Sequence, residues 1–224
     1  MPSNTAKEKK SAPQAGTPTP KRRRRKSWDE STQESKQKII SAAFLCFGKI
    51  GYQKTTLTDI ANVAGCSREL PRYHFKSKEG LVTALLDKIL TDWKTIFEMP
   101  KQQGVTGTAA IHMMLDIYLG MSKNDPTVYN GRLALIFQLA DPSMEPVKDQ
   151  VVTMQRALRN GFRDFIKQSV IQGDSPRNTD IDAMAAIIFA TFRGLAYQLM
   201  TDPEATDMQR IGKQLKVVIN KIMA

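Results

Sequence analysis

The chain has 224 residues, 41% hydrophobic and 25% charged, an ordinary globular composition for one large domain or two small ones. Its formal net charge of +11 is uneven: residues 1–26 carry +8, residues 27–91 carry +2 and residues 92–224 carry +1, so a basic arm precedes a nearly neutral body and a uniformly basic coat is excluded. No run reaches the ~18 apolar residues of a membrane span, no apolar run follows the basic start as in a secretory signal, and two cysteines with two histidines lack zinc-ligand spacing.

Residues 1–20 have no aliphatic residue larger than alanine after Met1 and cannot bury enough apolar surface to offset ordering entropy, which predicts disorder. The run Lys21-Arg22-Arg23-Arg24-Arg25-Lys26 follows. It reads either as a solvated charge run attracting phosphates or as an arm whose arginines, Arg24 and Arg25 among them, enter a minor groove. The remainder reads as helix after helix, with Cys46 and Cys66 as free thiols of a reducing cytoplasm. The predicted fold class is therefore all-α.

A first helix is expected over about 34–48, with Ile39, Ile40, Ala43, Phe44 and Phe47 as its apolar stripe and Gly48 and Gly51 as its stop. A short second helix runs to Ala64, capped by Thr56 with Asp59 in its first turn. Gly65 supplies the turn, Ser67 caps a third helix ending near Phe75, and Ser77 caps a fourth, which continues to about Met99. Two short helices about a glycine turn form the unit that lays its second helix in the major groove. Ser67, Arg68 and Glu69 stand where base edges are read, since arginine suits guanine and glutamate accepts from cytosine. Thr55, Thr56, Arg72, Tyr73, His74, Lys76 and Lys78 are candidates for positioning contacts to phosphate.

Thr55-Thr56-Leu57-Thr58-Asp59-Ile60-Ala61, Ala64-Gly65-Cys66-Ser67 and Tyr73-His74-Phe75-Lys76-Ser77-Lys78-Glu79-Gly80-Leu81, in that order and spacing, resemble the DNA-binding domain of the TetR family of bacterial transcriptional regulators over about residues 35–91. The resemblance implies a homodimer on a palindromic double-stranded DNA operator, one recognition helix per subunit. It also implies a C-terminal domain that dimerises and binds a small effector, relieving repression. Two positions depart from the family pattern: Glu69, where a small residue is usual, and Pro71-Arg72 in place of Leu-Tyr. The domains expected are an arm over 1–30, a helix-turn-helix domain over 31–91 and an effector and dimerisation domain over 92–224.

Further helices are expected near 108–122, 127–139, 144–172, 179–200 and 204–223. Ala186, Ala190 and Gly194 repeat every four residues as a small strip, while Met208, Ile211, Leu215, Val218 and Ile222 form a narrow seam. These suit either a four-helix interface between two copies or packing within one chain. The candidate effector residues are Trp93, Phe97, His112, Met113, Tyr118, Phe137, Phe162, Phe189 and Arg193, with Tyr129, Gln138, Met154, Phe192 and Gln198 in a wider set, drawn largely from aromatics and methionines that also suit a core. Arg193 lies in an apolar segment and needs a partner, either an acidic ligand or Asp116 or Asp182. No cofactor or metal is expected. Without a phosphate loop or nucleophile–base pattern, an enzyme is disfavoured. The alternative function is a ligand-independent DNA-binding protein of the nucleoid.

Overall fold

The computed structural model describes residues 28–124, 126–138, 145, 147–204 and 207–224. The basic run with Arg24 and Arg25 lies outside them. The described residues form nine helices and no strand: α1 (Trp28–Lys54), α2 (Leu57–Ala64), α3 (Glu69–Phe75), α4 (Lys78–Gln102), α5 (Gly107–Asn124), α6 (Pro126–Gln138), α7 (Lys148–Gln172), α8 (Ile181–Thr201) and α9 (Met208–Met223). This is the all-α plan expected, with shifts at the ends.

The largest shift is in α1. It starts six residues earlier than its apolar stripe suggested, because Trp28–Gln37 is largely exposed and carries no stripe to read; Asp29 and Glu30 complement its positive end. It also runs through Gly48. The break falls at Gly51, whose φ of 81° and ψ of 160° lie outside helical space. Gly48 has a different task, since a Cβ there would stand 2.7 Å from the Cα of Gly131 on α6. A Cβ on Gly131 would in turn overlap the carbonyl oxygen of Phe44. The glycine pair lets α1 and α6 approach backbone to backbone.

The core runs from Ile39, Phe44 and Phe47 of α1 through Leu81 and Leu85 of α4 to Ile111, Met114 and Leu115 of α5, all fully buried. It continues into a ring cluster in which Phe162 packs on Phe97 at 5.2 Å and on Phe192 at 4.9 Å between centroids. α7 packs along α8, and α9 packs on α5 with a Lys216–Asp116 ion pair of 2.6 Å. By length and apolarity alone α8 could span a bilayer. Its Ile188, Phe189, Phe192 and Leu195 are instead buried in this bundle.

Candidate functional site

The sequence encodes the helix-turn-helix through its caps. Thr56 closes a reciprocal box: its hydroxyl accepts from the Asp59 amide at 3.1 Å, and its own amide donates to the Asp59 carboxylate at 2.9 Å. The Thr56 hydroxyl also donates to the Asp59 carboxylate at 2.7 Å, and that bond together with the one from the amide holds the Asp59 carboxyl below its ordinary range. Gly65 ends α2 in the left-handed region at φ 64°, as the turn requires. Ser77 then caps α4 by accepting from the Gly80 amide at 3.1 Å.

The start of α3 differs from expectation. The Leu70 amide donates to the Ser67 carbonyl at 3.0 Å, an i to i+3 turn, so regular helix begins at Glu69 with Arg68 as the cap position and no side-chain cap. Pro71 is buried and third in α3, where its missing N–H removes no helical bond. The other side chains fall into two faces. Ser67, Arg68, Glu69, Arg72, Tyr73 and Lys76 are exposed, while Leu70, His74 and Phe75 turn inward.

Three phosphate candidates are therefore corrected. Thr55 is buried and its hydroxyl donates to the Gly51 carbonyl at 2.7 Å, closing the break in α1. His74 Nε2 lies 2.9 Å from the Ser35 hydroxyl; because that hydroxyl donates to the Thr32 carbonyl, His74 is the donor. Burial, Lys36 and Lys76 hold the His74 imidazole below its ordinary range, so it is neutral. Lys78 Nζ donates to the Tyr52 and Thr55 carbonyls at 3.0 and 3.1 Å and sits 4.2 Å from the Tyr52 ring centroid. These three residues tie α1, α3 and α4 together behind the exposed face. Burial and the neighbouring Glu79 carboxylate push the Tyr52 hydroxyl up to about 12, so it stays a neutral donor to Glu79.

A cavity lies between α4, α5, α6, α7 and α8, lined by Ile89, Trp93, Tyr118, Met121, Tyr129, Arg132, Leu133, Ile136, Leu158, Phe189, Phe192 and Arg193. Its free volume is about 50 Å³, room for roughly four waters and far less than the ~300 Å³ of a typical ligand site. Among the effector candidates Trp93, Tyr118, Phe189 and Arg193 line it, as do Tyr129 and Phe192 of the wider set. Phe97 and Phe162 belong to the ring cluster behind it, and Phe137 stacks on Arg193 at 5.3 Å. His112 faces α9 beside Lys216 and Asn220, and half-buried Met113 does not line the cavity. Arg132 escaped sequence reading because α6 has little helical periodicity; its flanking Gly131 was the one available signal.

The internal ion pair proposed for Arg193 is also corrected. Asp116 pairs with Lys216 and Asp182 with Arg163 at 2.5 Å, leaving Arg193 without a carboxylate among the described residues. Both thiols are free, and burial raises both, so neither is activated. No group of three metal-ligating side chains occurs among the described residues.

A helix-turn-helix with an exposed recognition face, joined to a helical bundle with an internal cavity, defines a DNA-binding regulator. Residues 39–85 match the family described as bacterial regulatory proteins, tetR family. The HTH-type transcriptional regulator TtgR of Pseudomonas putida is 25% identical over 187 residues, 80% of this chain and 86% of that protein. The fold is shared with FadR of Bacillus subtilis in complex with stearoyl-CoA (TM-score 0.73, 14% identity, 84% of this chain and 99% of that one). It is shared also with the SmeT–triclosan complex (TM-score 0.70, 19% identity, 84% and 90%), SmeT being the repressor of a Stenotrophomonas maltophilia multidrug efflux pump. Residues 39–85 thus carry a DNA-binding domain of the TetR type, and the chain as a whole is similar to transcriptional regulators that share it.

Proposed function

We propose that the protein acts as a homodimeric repressor, binding a palindromic operator through α3 of each subunit and leaving it when a small lipophilic effector enters the cavity. It acts by binding, without a catalysed reaction, on the nucleoid in the cytoplasm. The observation that carries this reading is the double duty of the cavity walls. α4 contributes Ile89 and Trp93 to the cavity, and its first residue follows α3 after only Lys76 and Ser77. α6 contributes Arg132, Leu133 and Ile136, and is held to α1 by the Gly48–Gly131 approach and by Gln138. The Gln138 amide donates to the Phe47 carbonyl at 3.2 Å, and its oxygen accepts from the Tyr52 amide at 2.7 Å. An effector too large for 50 Å³ must part these walls, and whatever moves α4 and α6 moves the recognition helices. Their separation on DNA must be one turn, ~34–36 Å, so an effector that favours another spacing favours release.

Pairing of subunits is supported by α8, the most apolar stretch, of which only a third of the residues are buried within the subunit. Its Ile187, Ala190, Gly194 and Tyr197 face outward, as do Val218 and Ile222 of α9, whereas Ala186, Ile211 and Leu215 are half-buried. The small strip and the seam thus offer one apolar surface to a second copy.

The test is selection of bound duplexes from a random pool, with the full chain and with residues 1–26 deleted. A palindrome with half-sites about one turn apart supports the dimeric regulator, and loss of flanking A·T preference on deletion supports a minor-groove arm. No motif from either protein sinks sequence-specific regulation in favour of general DNA binding. Unchanged spin-label distances between the two α3 helices with and without a bound effector would remove the release mechanism.

A further inference from the structure

Four side-chain atoms among the described residues are buried without an acceptor in hydrogen-bonding geometry, and three of them, Arg193 Nη1, Arg132 Nε and Tyr129 Oη, belong to residues lining this cavity, where the Tyr118 hydroxyl lies beside Tyr129 Oη. Such atoms are rare in folded proteins and each is costly. The two arginine atoms can only donate, and the tyrosine hydroxyl can donate. The cavity therefore presents donors without an acceptor in hydrogen-bonding geometry. Charge sharpens the deficit. Arg132 is balanced by Asp92, with Nη1 and the carboxylate 2.9 Å apart, and stacks on Phe44 at 5.1 Å. Beside Arg193 lie two ring faces, Phe137 at 5.3 Å and Phe189 at 5.8 Å, and the Tyr118 hydroxyl, while Asp116 and Asp182 are engaged with Lys216 and Arg163. A ring face offsets part of a cation's lost hydration, less than an anion does.

We infer that the effector is an organic acid: a carboxylate that meets Arg193, with Arg132 Nε and the Tyr129 hydroxyl as further donors, carried on an apolar body that lies against Trp93, Phe189 and Phe192. The inference rests on the effector reading of the cavity and narrows it to a class. One positive charge without a carboxylate among the described residues matches one negative charge, and the planar guanidinium matches the planar two-oxygen head. The walls apart from these donors are aliphatic and aromatic, so a wholly polar acid leaves them unused.

The test titrates the full-length protein at pH 7.5 with octanoic acid and 4-phenylbutanoic acid, and with the primary amide of each, by calorimetry and thermal shift. The acids are expected to bind at least about ten-fold tighter than their amides, as an added hydrogen bond to a charged group implies. Arg193→Gln should erase that preference by weakening the acids alone, while Arg193→Lys keeps part of it. The ligand-free Arg193→Gln protein should melt no lower than wild type, because relief of the buried charge offsets the two ring contacts it gives up. Amides binding as tightly as acids, an acid preference that survives Arg193→Gln, or silence from the acids while neutral lipophilic compounds bind would overturn the acid class and leave the cavity reading standing. Silence from acids, amides and a neutral lipophilic panel together would end both.

Discussion

Replacing Gly131 by alanine tests the joint between the DNA-reading half and the cavity. The new Cβ would fall inside the van der Waals boundary of the Phe44 carbonyl, and the atom it meets is backbone, so α6 and α1 must separate. Overpacking against backbone, which cannot swing aside, falls in the upper part of the usual range at ~2–3 kcal/mol, while alanine regains ~0.8–1 kcal/mol of helix propensity over glycine. The net is a destabilisation of about 1–2 kcal/mol, or a melting temperature lowered by about 2–8 °C in a chain of this size. Gly120→Ala is the comparator, because nothing lies within 4 Å of a Cβ at that position on α5. It should raise the melting temperature by a few degrees through propensity alone. Thermal denaturation followed by circular dichroism measures both, and fluorescence anisotropy on a selected operator should show Gly131→Ala binding more weakly. Equal or higher stability for Gly131→Ala, or the two variants moving in the same direction, would refute the close-approach argument.

Three further expectations separate residues that hold the helix-turn-helix together from those that reach DNA. Lys78→Met should lower stability by about 1–2 kcal/mol by leaving the Tyr52 and Thr55 carbonyls unpaired; it should weaken operator binding without changing its salt dependence, whereas Arg72→Ala should reduce the log–log salt slope by about 0.9 per phosphate contact. Thr56→Ala should cost about 1 kcal/mol of stability through loss of the cap, and a variant as stable as wild type would contradict the reciprocal box. Acidification from pH 7.5 to 5 should lower the melting temperature. His74 and His112 are both held below their ordinary range, chiefly by burial, so near pH 6.5 the unfolded chain takes up protons that the folded chain refuses. Glutamine at both positions should flatten that slope.

Backbone punctuation was the most legible part of the sequence. Thr56, Gly65 and Ser77 each act through atoms at a fixed local spacing, so the cap, turn and cap could be placed without knowing what packs on them. Thr55, His74 and Lys78 were not legible in the same way. A hydroxyl, an imidazole and an ammonium bind a phosphate or an internal carbonyl equally well, and only tertiary placement decides between them. Gly48 was misread because a helix-stopping glycine and a helix-crossing glycine look alike until Gly131 is opposite. In the cavity, Trp93, Tyr118, Tyr129, Phe189, Phe192 and Arg193 were found by residue type, but the same criterion gathered Phe97 and Phe162 from the core and His112 from the α5–α9 contact. Arg132 acts through its burial, which composition does not encode.

Gln138 has a bearing on how such regulators can be recombined. Its side chain supplies a donor to one side of the break in α1 and an acceptor to the other, from 91 and 86 residues further along the chain. A cut at residue 91 therefore separates tasks without separating a folding unit: the piece that reads DNA would keep its caps and lose two of the bonds that set the corner in α1. Chimeras that join the operator specificity of one family member to the effector response of another inherit this dependence. A graft that carries α6 together with α1 transplants a matched pair, and one that crosses over between them must rebuild a glycine–glycine crossing and a bridging amide in a foreign partner.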